Sequence, residues 1–159
     1  MSRTHARSLR GTRAIVQEPF AHGPNISVIS SLSLTGVGAT MSVEGAVDAT
    51  VFEAFVAHFL VPTLCPGDMV ILDNVRFHHS AQVRQLIERA GARILHLPAY
   101  SPDFNPIEEC ISKIKAYLRS VKARTKRKLL NALAKALTQI TFEDICGWFI
   151  DCGYVYSLT

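Results

Sequence analysis

The sequence predicts an α/β domain. Three observations carry that prediction. Asn25–Leu34 is rich in β-branched residues and alternates in part. Met69–Leu72 is a short, wholly apolar run of the kind that forms a strand buried on both faces. From Ser80 onward, apolar residues recur at helical spacing between capping residues and glycines. With 159 residues, 48% hydrophobic and 19% charged, the chain is a single domain able to bury a real core.

In chain order, residues 1–24 read as an extended lead-in that begins polar and basic, with Gly11 as a turn signal. Asn25–Leu34 is a strand, Thr35–Gly38 a turn, and Ala39–Val43 a returning strand, together a hairpin. Asp48 or Thr50 caps a helix over Val51–Phe59, with Val51, Phe52, Phe55, Val56 and Phe59 on one face. Pro62 and Pro66-Gly67 end it. Met69–Leu72 follows as a strand. Ser80 caps a helix over Ala81–Ala90 with Val83, Leu86 and Ile87 inward, and Gly91 closes it. Arg93–Leu97 is a further strand, so residues 69–97 form a parallel crossover unit. The sheet is expected to start antiparallel and continue parallel. Asn105 caps a helix that opens on Pro106 and runs to Val121, with Ile107, Ile111, Ile114 and Leu118 inward. Lys126–Thr138 buries Leu130, Leu133 and Leu137, and Thr141 caps a last helix over Phe142–Ile150. Residues 25–121 make the core and 122–159 the C-terminal helices.

No apolar run approaches the length of a membrane span. The basic start, Met1–Arg7, has no apolar stretch behind it, so it is not a secretory signal. Cys65, Cys110, Cys146 and Cys152 show no metal-ligand spacing and read as buried or half-buried thiols of a reducing cytosol. The net charge is +4, and eight of the 17 Lys and Arg residues lie between Lys113 and Lys128, with Arg3, Arg7, Arg10 and Arg13 near the start. Two basic clusters point to a polyanion partner, or more blandly to a solvated helix face.

Two carboxylates stand at element edges with 34 residues between them. Asp73 ends the Met69–Leu72 strand, where strand C-termini of α/β sheets place ligands. Glu108 lies on the first turn of the helix after Asn105-Pro106. A divalent metal site for phosphoryl transfer needs such a pair. Each also has a plainer reading: Asp73 as a loop cap, Glu108 as an acid favoured by the helix dipole. Glu109 points about 100° further round the helix and is expected to meet Lys113. Asn74 reads as a phosphate donor or a loop tie, and His78 as a group that orients a phosphate or a carboxylate; for His79 a plain loop role is at least as good.

The motifs Leu72-Asp-Asn-Val-Arg-Phe-His78 and Leu97-Pro-Ala-Tyr-Ser-Pro-Asp-Phe-Asn-Pro-Ile-Glu108 resemble those of mariner-type DDE transposases, above all their bacterial insertion-sequence branch. Arg7–Gly11 resembles that family's basic loop, and the resemblance spans nearly the whole chain. It implies a ribonuclease-H-like mixed sheet flanked by helices. It also implies two Mg²⁺ ions, for which Mn²⁺ substitutes, held by three acids for cleavage and strand transfer of DNA phosphodiesters. Asp73 matches the second acid and Glu108 the third, both as metal ligands, with Asn74 and His78 in support. DNA phosphates would meet Arg119, Lys122, Arg124, Lys126, Arg127 and Lys128. The partners implied are double-stranded transposon ends and target, and a second copy when the enzyme is complete, in a bacterial, nucleoid-associated setting.

The chain departs from the family at its start. The first acid should lie on a central strand just before the basic loop, yet no Asp or Glu precedes Arg7, and Glu18 lies beyond the loop. The first central strand and any helix-turn-helix domain are therefore expected to be missing, exposing sheet edges, and the isolated chain is expected to be inactive. It would be the downstream half of a split transposase or a relic. The competing classes are a transposase domain, a non-enzymatic DNA-binding or subunit-binding fragment, and a ribonuclease-H-like nuclease unrelated to transposition.

Overall fold

The computed structural model describes residues 7–13 and 25–154. The expectations for Arg3 and Glu18, most of the lead-in and the last five residues lie outside the described residues.

Ile26–Ser33 (β1) and Gly36–Glu44 (β2) pair antiparallel as predicted, with a bulge between Ser30 and Leu32. Asp48, not Thr50, caps the next helix: its Oδ1 accepts the Val51 N–H at 2.9 Å. That helix, Ala49–Phe55 (α1), widens into a π-helical turn over Val56–Leu60 and tightens over Val61–Thr63. The widened turn rotates later residues off the predicted stripe. Phe52, Phe55, Val56 and Leu60 are buried, while Phe59 is 42% exposed.

Met69–Leu72 (β3) and Arg93–His96 (β4) pair parallel across Ala81–Arg89 (α2). Ser80 caps α2 and also donates a hydrogen bond to Glu53 of α1, tying the two helices. Gly91 turns the chain with φ 80°, and a Cβ there would lie 3.1 Å from Pro66 Cα, so backbone and close approach both favour glycine. Pro106–Val121 (α3) has the predicted bounds. Lys126–Leu137 (α4) and Phe142–Asp151 (α5) follow, the latter opened by a capping box between Thr141 and Asp144.

Two apolar clusters hold these elements. The first packs α1, its π turn and α2 against Ile29, Ala39, Met41, Val70, Leu72 and Ile94. The second joins Cys110, Ile114, Leu133 and Ala136 of α3 and α4 with Leu32, Val37 and Trp148. The β1–β2 hairpin thus lies between two helical groups.

Several expectations need correction. Among the described residues the strands form two separate two-stranded sheets, β1–β2 and β3–β4, not one continuous sheet. Hence β3 is not buried on both faces: Met69 is 55% exposed and Val70–Leu72 are half-buried. In α3 the deepest residues are Pro106, Cys110 and Ile114; Ile107, Ile111 and Leu118 are half-buried. In α4 the small residues Ala132 and Ala136 flank Leu133 in the core, and Leu130 and Leu137 are half-buried. Cys65 is exposed rather than buried. Burial pushes the Cys110 thiol up to about 11.

Candidate active site at the ends of the parallel strands

The β3–β4 ladder is extended by Leu97 N–H donating to the Leu72 carbonyl at 2.8 Å. The two chain segments that leave it, one starting at Asp73 and the other at Pro98, therefore emerge side by side. The second turns through Pro102–Phe104, where the Asn105 N–H bonds the Pro102 carbonyl at 2.9 Å. It then enters α3. One cleft results, lined by Asp73–Val75, Leu97–Pro102, Asn105 and Glu108. Both sequence-predicted carboxylates line it; Glu109 does not. Glu109 instead sits near enough to Cys152 to raise that thiol, second to burial. Its expected partner Lys113 pairs with Asp144 of α5, a tertiary contact that overrides the local i,i+4 pairing.

The Asp73 side chain is 42% exposed, so it is not held by enclosure but by its neighbours. His78 Nδ1 approaches its Oδ1 at 2.6 Å. The Val75 N–H donates to the same oxygen at 3.2 Å. Both contacts fall on Oδ1, and Oδ2 has no hydrogen-bond partner among the described residues. The His78 ring is itself fixed against Phe52, ring centroids 4.2 Å apart, so α1 sets the orientation of Asp73 through one histidine.

Asn74 is held from the other side. Its Oδ1 lies 2.5 Å from His79 Nε2, and the His79 ring stacks on His96 at 4.1 Å. His96 belongs to β4, and its Nδ1 is buried with no hydrogen-bond partner among the described residues. Burial, then the His79 charge, lower the His96 pKa from 6.5. This histidine stack had no signal in spacing, because His79, on the turn after β3, meets His96 of β4 only in the folded chain. Asn105 was read as a helix cap. It occupies that position but makes no capping bond with its side chain and lines the cleft instead.

The predicted basic residues gather elsewhere. Arg119 lies half-buried on α3, Lys122 ends that helix, Arg124 sits in the link, and Arg127 and Lys128 are exposed on the first turn of α4. Lys126 is engaged with Glu44 of β2. From Glu108 to Lys122 the helix rises roughly 20 Å, so this corner and the cleft do not share one phosphate.

Carboxylates are the hard oxygen donors that a divalent cation takes. Two line the cleft, but among the described residues no group of three or more His, Cys, Asp or Glu side chains is placed to hold a metal. Residues 1–130 match the family described as DDE superfamily endonuclease. The chain belongs to that family. DDE superfamily endonucleases generally use divalent metal ions, in keeping with the donor chemistry of the cleft. The Transposable element Tc1 transposase of Caenorhabditis elegans is 25% identical over 127 residues, covering 77% of this chain and 46% of that protein. Among solved structures, the Mos1 Strand Transfer Complex superposes with a TM-score of 0.73 at 17% identity, over 95% of this chain and 46% of that one. The Mos1 transposase paired-end complex with left transposon end gives 0.68 at 16%, over 95% and 47%. This DDE superfamily member thus has the ribonuclease-H-like fold of the Mos1 catalytic domain and spans about half the length of the relatives it matches.

Proposed function

We propose that this chain is part of a DDE transposase catalytic domain that cleaves and rejoins DNA phosphodiesters at transposon ends and target. The observation that carries the reading is the convergence of Asp73 and Glu108 on one cleft at the C-terminal ends of a parallel strand pair. Asp73 Oδ2 and the Glu108 carboxylate would hold Mg²⁺, or Mn²⁺ in its place. When bound, the ion supplies Lewis-acid stabilisation of charge building on the phosphate. His78 and the Val75 N–H hold Asp73 in register, and His79 holds Asn74 where its amide reaches a phosphate oxygen. The basic corner of Arg119, Lys122, Arg124 and Lys126–Lys128, roughly 20 Å along α3 from Glu108, would bind phosphates other than the reacting one.

Two carboxylates do not make a two-ion site, so the isolated chain should not cleave. A strand bearing the first acid, placed between the β1–β2 and β3–β4 ribbons, would complete both the sheet and the ligand set. An upstream half of a split transposase could supply it. The complete enzyme would act as a homodimer on paired ends, in a bacterial cytoplasm at the nucleoid. The absence of a third ligand among the described residues favours one alternative, a non-enzymatic DNA-binding or subunit-binding fragment or relic.

A plasmid-cleavage assay separates these readings. The chain alone should give no Mg²⁺-dependent nicking; nicking that Asp73→Ala abolishes would contradict the inactivity. Joined to an upstream segment carrying the Asp-bearing strand, it should nick, and Asp73→Ala or Glu108→Gln should each abolish this. Nicking unaffected by both substitutions would refute the site.

A further inference from the structure

Tyr100 combines two uncommon conditions. Its backbone is left-handed, with φ 58°, a region that bulky L-residues rarely adopt. Its side chain is fully exposed, at 102%, so no packing among the described residues offsets the strain. The residue lines the cleft that holds Asp73 and Glu108. Val75, which lines the same cleft, is 40% exposed. The carboxylates therefore stand beside an apolar rim whose most prominent member is a flat aromatic ring. Strain of this kind persists where function needs a group displayed.

The ligand is fixed by what lies next to it. A phosphate bound between the carboxylates brings its own nucleotide and the neighbouring one to the rim. The flat, apolar part of a nucleotide is its base. A base inside a duplex is already stacked on both faces, and only an unpaired one has a face to offer. We propose that Tyr100 is a stacking platform for an unpaired base beside the reacting phosphate, so that the site favours frayed or extruded nucleotides over intact duplex. This rests on the DNA-processing reading of the cleft.

The test uses the full chain at low salt with Ca²⁺ and two duplex oligonucleotides. One carries 2-aminopurine unpaired at a 3′ end; the other carries it paired inside the duplex. Anisotropy reports binding, and 2-aminopurine emission reports stacking. Wild type and Tyr100→Phe should quench the unpaired probe and bind it better than the paired one. Tyr100→Gly relieves the backbone and should melt no lower than wild type. It should nevertheless lose the quench and bind the unpaired probe roughly tenfold more weakly, the loss of one stack, with the paired probe unaffected. Retention of quench and preference in Tyr100→Gly overturns the stacking role while leaving DNA binding intact. No binding of either probe by any variant would sink the DNA reading and the stacking role together.

Discussion

His78 Nδ1 lies 2.6 Å from Asp73 Oδ1, and the same imidazole packs on the Phe52 ring, centroids 4.2 Å apart. The histidine is thus a strut between a core aromatic and the acid at the end of β3. Groups that hold a ligating carboxylate usually matter about 10–100-fold in metal affinity. His78→Ala should weaken Mn²⁺ binding by that order, measured by paramagnetic relaxation of water protons. His78→Gln, which keeps a donor within reach of Oδ1, should recover part of it. Equal affinity in all three proteins would show that the contact does not orient Asp73.

Lys122 ends α3 in the left-handed conformation, φ 49° and ψ 46°. Glycine is the residue suited to that position. Lys122→Gly should stabilise the fold by up to about 1 kcal/mol, raising Tm by about 2–4 °C. If Lys122 contacts a DNA phosphate, the same substitution should weaken binding equally across sequences and reduce the salt slope by about one. A more stable protein with an unchanged slope would remove Lys122 from the DNA surface.

Asp144 accepts from the Lys113 ammonium and, at 2.9 Å, from the Thr141 N–H. The Lys113 contact first, and the Thr141 N–H second, hold its carboxyl below the ordinary 3.8. The unfolded chain therefore takes up this proton before the folded one does. The stabilisation is complete above the ordinary carboxylate value and is lost as pH falls from there through the depressed folded value. Asp144→Asn should lower the urea midpoint at neutral pH by the equivalent of about 0.5–1 kcal/mol, and its stability should fall less steeply below about pH 4. Parallel wild-type and variant curves across the acid range would contradict this.

What the sequence made legible was local. Met69–Leu72 and Pro106–Val121 have their predicted bounds, because an apolar run between turn signals and a proline at the first helical position are local instructions. Ser80 and Thr141 cap as expected for the same reason. Asp73 and Glu108 could be paired because their motifs fix where each element ends.

The tertiary part was hidden. Alternation tells which face of β1 is inward, but not that its sheet has two strands among the described residues. Lys113 was assigned to Glu109 by helical spacing, whereas a residue 31 positions away takes it. The π turn at Val56–Leu60, which exposes Phe59, leaves no mark in the periodicity. Tyr100 is not a residue type that announces a left-handed turn, and the His79–His96 stack exists only because a loop folds over β4.

The central claim is that Asp73 and Glu108 together bind one divalent ion. Mn²⁺ titration of the isolated chain, followed by electron paramagnetic resonance, tests it most directly. The expected result is a single weak site that Asp73→Asn abolishes and Glu108→Gln abolishes, while Glu109→Gln leaves it intact. Binding that survives both of the first two substitutions, or that is lost in Glu109→Gln, would contradict the account.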